Sequence, residues 1–130
     1  MSVDGLKKII YVEDEQDIQV IVKLCLENIG GFQVQIYSSG TEALTNVLEY
    51  MPDLILLDVM MPEMDGPTLF THLQEMPQVK DIPVIFMTAK AQMHEVEEFK
   101  KVGVLDIITK PFDPMTLSQS IIDIWEKKHG

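Results

Sequence analysis

Cysteine is almost missing from this chain. Cys25 stands alone in 130 residues, so no internal disulfide can form and a secreted disulfide scaffold is disfavoured. No apolar run approaches the roughly 20 residues that a membrane-spanning helix needs. No basic segment followed by an apolar one opens the chain as an export leader would. These absences lead us to expect a cytoplasmic protein without membrane contact. Basic residues are also scarce: 10 Lys and Arg stand against 21 Asp and Glu, a net charge of -11. Such a field repels phosphate backbones and anionic lipid, so neither nucleic acid nor membrane is an expected partner. Most of the acid serves to keep the protein dissolved, but that does not explain acids placed where a strand meets a helix. Repeats, low-complexity tracts and linker-like stretches are absent too. What is present is 46% hydrophobic residues, enough to build the core of one ordinary domain.

Short apolar runs alternate with longer segments of helical period. Lys8 to Val12 is β-rich, and Gln16 to Ile29 sets Ile18, Ile21, Val22, Cys25 and Ile29 on one helical face before a Gly30-Gly31 stop. Cys25 is therefore expected to be inert core. Phe32 to Tyr37 alternates as a strand, with Phe32, Val34 and Ile36 on one side and Gln33, Gln35 and Tyr37 on the other. Thr41 can cap a second helix carrying Ala43, Leu44, Val47 and Leu48. Leu54-Ile55-Leu56-Leu57 is continuously apolar, as a strand buried on both faces requires. Gly66-Pro67 opens a third helix, Pro83 to Met87 is a fourth strand, and Met93 to Lys101 a charged helix ended by Gly103. Leu105 to Ile108 is the fifth strand, and Asp113-Pro114 starts a last helix with Leu117, Ile121, Ile124 and Trp125. Trp125 either covers the sheet or serves a partner surface. Strands alternating with helices predict an α/β fold, a parallel sheet with right-handed crossovers and helices on both faces.

In such a sheet, ligands are handled at the carboxyl ends of the strands. Glu13 and Asp14 follow the first strand, Asp58 the third, Thr88 the fourth, and Thr109-Lys110-Pro111 the fifth. Taken singly, each has a plainer reading. Glu13 and Asp14 suit a helix N-terminus, Asp58 a turn, Thr88 a cap and Lys110 the surface, and X–Pro bonds are mostly trans. Taken together, they bring three carboxylates and a lysine to one edge. Carboxylates that close repel one another and raise each other's pKa, which a hard divalent cation relieves. Magnesium suits a few carboxylates with retained waters, and a phosphoryl group could then bridge metal, lysine and threonine.

The runs Ile-Ile-Tyr-Val-Glu13-Asp14-Glu, Leu-Ile-Leu-Leu-Asp58-Val-Met-Met-Pro62-Glu-Met-Asp65-Gly66, Pro-Val-Ile-Phe-Met-Thr88-Ala89 and Ile-Thr-Lys110-Pro111-Phe112 resemble the receiver domains of two-component response regulators, chemotaxis-type single-domain receivers included. The resemblance covers essentially the whole chain. It implies a flavodoxin-like (βα)5 three-layer fold with strand order 2-1-3-4-5, and one receiver domain over residues 1–130 with no output domain. It implies Asp58 as phosphoacceptor, with Lys110 and Thr88 engaging the phosphoryl oxygens. Mg2+, with Mn2+ as a substitute, would be held by Asp14, Asp58 and the Met60 backbone carbonyl, and by Glu13 through water. The Lys110–Pro111 bond is expected to be cis. The donor would be a sensor histidine kinase, a phosphotransfer protein or a small acyl phosphate. Output would pass through the face formed by helix 4, strand 5 and helix 5 to an unidentified protein effector. The protein is expected to be a monomer or weak dimer and a regulator rather than an enzyme, catalysing only its own phosphotransfer and slow self-dephosphorylation.

Ile107 departs from the pattern, because the family often has Tyr or Phe three residues before the lysine and moves that ring with the threonine. Isoleucine has neither ring nor hydroxyl, so coupling to output is absent or different. Ala89 belongs to the same switch region. Met60 and Lys90, two residues after Asp58 and Thr88 respectively, occupy positions that tune phosphoryl lifetime in the family, and Met60 cannot orient a water by hydrogen bonding. His72, His94 and His129 have no metal-ligand spacing, and the nine methionines are read as core filler, although Met60, Met61 and Met64 cluster after Asp58. A flavin carrier is excluded because Glu13-Asp14-Glu15 would repel a phosphate. A phosphatase using an aspartate nucleophile is disfavoured because Met60 stands where its second aspartate belongs. The runner-up is a receiver-like interaction module without phosphorylation-dependent output.

Overall fold

The computed structural model describes residues 5–89 and 93–129. Five strands, β1 (Lys8–Val12), β2 (Gln33–Tyr37), β3 (Leu54–Asp58), β4 (Val84–Thr88) and β5 (Asp106–Thr109), pair in parallel in the order β2-β1-β3-β4-β5. Between and after them run α1 (Gln16–Leu24), α2 (Gly40–Tyr50), α3 (Gly66–Gln74), α4 (Met93–Lys101) and α5 (Leu117–His129).

The two-residue period of the strands divides the core. Ile10, Val12, Ile55, Leu57 and Phe86 pack with residues of α2 and α3 on one face, whereas Ile9, Tyr11, Leu54, Leu56 and Ile85 pack with α1 and α5 on the other. All five residues of β3 and of β4 are buried, as the unbroken aliphatic run over 54–57 predicts for central strands. Trp125 is 6% exposed and belongs to the α1–α5 cluster, so it covers the sheet.

Local chemistry moves several boundaries. The first helix widens at Cys25 into a π-helical turn over Cys25–Ile29. The Cys25 carbonyl there accepts from Gly30 N–H and the Ser118 hydroxyl. This changes the helical register: Val22 and Leu26 are buried, Ile21 and Ile29 are exposed, and Cys25 is half-buried rather than core. Gly31 then takes φ +74, the left-handed stop expected of that pair. The cap of α2 is Ser39, not Thr41. Ser39 Oγ accepts from Glu42 N–H at 3.1 Å while the Glu42 carboxylate accepts from Ser38 N–H at 2.9 Å, a reciprocal pairing that wins over a lone threonine. Tyr37 is buried beneath α2 with Ala43 and Val47 instead of sharing the exposure of Gln33 and Gln35. Asp113 forms a turn, its carboxylate accepting from Met115 N–H, and the last helix begins at Leu117.

Candidate functional site

Register sets the site. Val12 pairs with Leu57, Asp58 with Met87, and Thr88 with Thr109, so the residues closing β1, β3, β4 and β5 line one edge of the sheet. Beyond β3 the chain turns back on itself. The Asp65 carboxylate caps α3 by accepting from Thr68 N–H at 2.9 Å, and Gly66 N–H donates to the Val59 carbonyl at 3.0 Å. A Cβ on Gly66 would lie 2.8 Å from the Asp58 carbonyl oxygen. Only glycine lets the helix start this close to the strand that carries Asp58.

Glu13 is fully buried, and its carboxylate accepts from three donors. Its Oε1 accepts from the Tyr11 hydroxyl at 2.8 Å and from Lys110 Nζ at 2.8 Å, and its Oε2 accepts from Glu15 N–H at 3.2 Å. Its backbone carbonyl accepts from the Gln19 side-chain amide. Lys110 Nζ also lies 3.2 Å from Asp58 Oδ1, which in addition accepts from Met60 N–H at 3.3 Å. The lysine is held at its base as well, its backbone N–H donating to the Thr88 carbonyl at 2.7 Å.

These contacts split the protonation equilibria. Burial opposes ionisation of Glu13, but the hydrogen bonds from Lys110 and Tyr11 outweigh it and hold the carboxyl below its ordinary value. Burial, reinforced by the Glu13 charge and only partly offset by Lys110, pushes Asp58 up to about 6. Burial also opposes the charge on Lys110, yet Glu13 and Asp58 together raise it, so the ammonium persists. Burial and the Glu13 carboxylate raise Tyr11 far above the ordinary phenol range, which keeps it a donor.

Glu13, Asp14 and Asp58 each offer a carboxylate oxygen within 4.8 Å of the others. An all-oxygen, acidic donor set in which burial already penalises one member fits a hard divalent cation. Asp14 is the most exposed of the three, giving the cluster an open side. The structure thus brings together Glu13, Asp14, Asp58, Lys110 and the Met60 backbone. Thr88 is buried at the end of β4, where its carbonyl accepts from Lys110 N–H. The Met60 side chain is exposed, the Lys110–Pro111 bond is cis, and Ala89, Lys110 and Pro111 line a cavity of about 320 Å³ with Ile18, Ile21, Phe112 and Pro114. Lys90 lies outside the described residues. His72 is paired loosely with Glu75 on the surface.

Comparison with known proteins agrees with this geometry. Residues 9–122 match the family model of the response regulator receiver domain. The chain belongs to the response-regulator receiver family. It is 31% identical over 122 residues to response regulator Rre1 of Synechocystis, covering 94% of this chain and 53% of that protein. It is 36% identical over 107 residues to the phosphate regulon transcriptional regulatory protein PhoB of Rhizobium meliloti, covering 82% and 47%. The chain spans about half the length of these curated relatives. Chemotaxis protein CheY4 of Vibrio cholerae superposes with a TM-score of 0.84 at 28% identity, covering 92% of this chain and 98% of that one. As a receiver it is a phosphoacceptor signalling module of two-component systems, with the flavodoxin-like strand order expected from its sequence. Among the described residues, no helix is long and apolar enough to cross a membrane.

Two features of this receiver escaped the sequence reading. Tyr11 reads there only as a strand residue, although it stands two positions before Glu13 and so shares its side of the strand. The aromatic missing at Ile107 has a neighbour instead: Phe86 pairs with Ile107 across β4–β5 and meets Phe99 and Phe70 edge-on at 4.9 and 5.9 Å.

Proposed function

We propose that this receiver takes a phosphoryl group onto Asp58 with Mg2+ bound, and that the modified state controls a partner protein. The observation that carries this is Lys110 bridging Glu13 and Asp58 beside a third carboxylate. The Asp14 and Asp58 carboxylates and the Met60 carbonyl would hold the ion, Glu13 would reach it through water, and the ion would neutralise charge on the transferring group. Mn2+ would substitute. An Asp58 oxygen attacks phosphorus in line. A new P–O bond forms as the P–N bond of a phosphohistidine, or the P–O bond of acetyl phosphate, breaks and its electron pair leaves with the donor. Lys110 exchanges its Asp58 and Glu13 contacts for the phosphoryl oxygens, and the Thr88 hydroxyl turns to them on activation. The chain catalyses only this transfer and the slow hydrolysis of its product, in which water takes the phosphoryl group away as inorganic phosphate and the Asp58 carboxylate is restored. Met60, 74% exposed, offers no group to orient that water, so the acyl phosphate persists for minutes. Loss of phosphate within seconds would overturn the lifetime claim.

A histidine kinase or phosphotransfer protein would seat on the apolar lining of Ile18, Ile21, Pro111 and Phe112 next to Lys110. Output would run through α4, β5 and α5 to a protein effector. The reading extends to one receiver domain over 1–130 acting in the cytoplasm as a monomer or weak dimer, with neither membrane nor nucleic acid as partner.

Intact mass after incubation with acetyl phosphate and Mg2+ tests it. One added phosphoryl group is expected, dependent on the metal and missing in Asp58→Asn. If no mass is gained, a titration with beryllofluoride and Mg2+ decides. Failure of that binding too would favour an interaction module without phosphate.

A further inference from the structure

Tyr11 is the single polar-tipped residue in the apolar run of β1, and it is 0% exposed among Ile9, Val22, Leu54 and Leu56. Phenylalanine would serve that packing equally well. A buried phenol without a partner is costly, so the hydroxyl has to be accounted for, and it reaches Glu13 Oε1 at 2.8 Å. A carboxylate has about four acceptor sites. Here Tyr11 and Lys110 occupy Oε1 and Glu15 N–H occupies one site of Oε2, so the remaining capacity lies on Oε2. Three donors, two from the flanking residues Tyr11 and Glu15 and one from the distant Lys110, define how the group is turned. One of them is temporary under the function proposed above, because Lys110 must move to the phosphoryl oxygens. Glu13 Oε1 would then lose its cation while still buried.

We propose that Tyr11 is a positioning residue for metal binding, its hydroxyl pinning Glu13 Oε1 so that Oε2 stays presented to the water shell of the ion, in the phosphate-free protein and also after Lys110 is engaged elsewhere. This rests on the metal-binding part of the proposed function. It assigns Tyr11 no contact with phosphate or metal.

The test is calorimetric Mg2+ titration of phosphate-free wild type, Tyr11→Phe, Glu13→Ala and the double variant, with urea unfolding in EDTA as a check on folding. Tyr11→Phe is expected to weaken Mg2+ binding about five-fold, the order of one ordinary hydrogen bond, because the ion feels Glu13 only through water. In the Glu13→Ala background the same change is expected to have no further effect, since the two act as a unit. Mg2+ affinity within two-fold of wild type would overturn the proposal, leaving Tyr11 a satisfied core phenol. An equal loss with and without Glu13 would also overturn it, since Tyr11 would then act through packing. Absence of Mg2+ binding by folded wild type would overturn the metal site itself and this proposal with it.

Discussion

Glu13 and Asp58 end neighbouring strands, both are buried, and both touch Lys110 Nζ, at 2.8 and 3.2 Å. Their protonation equilibria nevertheless move in opposite directions, Glu13 below its ordinary value and Asp58 up to about 6. Burial penalises both. Donors make the difference: Glu13 has Tyr11, Lys110 and Glu15 N–H, while Asp58 shares the lysine and adds Met60 N–H. A carboxylate supplied with donors is structural, and its under-supplied neighbour is left reactive and in need of a cation. No buried side-chain polar atom among the described residues lacks a partner, so the poise at Asp58 comes from burial and the Glu13 charge, with too few donors to offset them, and not from an orphaned group.

Removing the shared lysine breaks this comparison most severely. Lys110→Met leaves two buried carboxylates facing each other, and breaking a buried pair in this way costs about 3 kcal/mol. Urea unfolding in EDTA at pH 7.5 is expected to show a loss of that order, with Mg2+ restoring part of it. Unchanged stability would mean that the two acids do not depend on Lys110.

Asp58→Asn is expected to act in the opposite direction. The folded protein holds the Asp58 proton more tightly than the unfolded chain does, between the ordinary 3.8 and about 6. Wild-type stability therefore falls as pH rises through that window, and the penalty is complete above it. The amide removes the penalty, so the metal-free variant should exceed wild type by about 3 kcal/mol at pH 7.5 and match it near pH 4. Paired urea curves at the two pH values check both sign and window. The same proton competes with the ion, so Mg2+ affinity is expected to fall about ten-fold per pH unit below 6 and to level off above it. A titration series from pH 5 to 8 showing no slope would place the Asp58 equilibrium elsewhere.

Much of this was legible in the sequence, because strand ends are fixed by hydrophobic pattern. The aliphatic run before Asp58 and the Val12–Leu57 register bring Glu13, Asp58 and Lys110 to one edge wherever the exact boundaries fall. The details that escaped are those set by tertiary geometry. Nothing in the period of Gln16 to Ile29 announces the π-helical turn that turns Cys25 from core to half-buried. The cap of α2 is different in kind, since Ser39 and Glu42, three residues apart, form a local capping pattern that outcompetes Thr41 and is open to reading from sequence. Tyr11 looks like packing until its hydroxyl is seen on Glu13.

The smallest expected effect concerns β5, which lacks the usual ring. Ile107 is half-buried, pairs with Phe86 and packs in the cluster under α2 and α3, not on the carboxylates. The aromatic surface there comes from Phe86, Phe99 and Phe70, which also border a cavity of about 370 Å³ between α3 and α4. Ile107→Tyr is therefore expected to change unfolding free energy by less than about 1.5 kcal/mol, as a hydrophobic exchange with room to repack does. It should also leave the initial rate of acetyl phosphate labelling within two-fold, followed by intact mass. A ten-fold change in that rate would show that the ring position and Asp58 are energetically coupled in this chain despite the isoleucine. The contrast between a donor-rich acid edge and a separate aromatic cluster would then give way to one connected network.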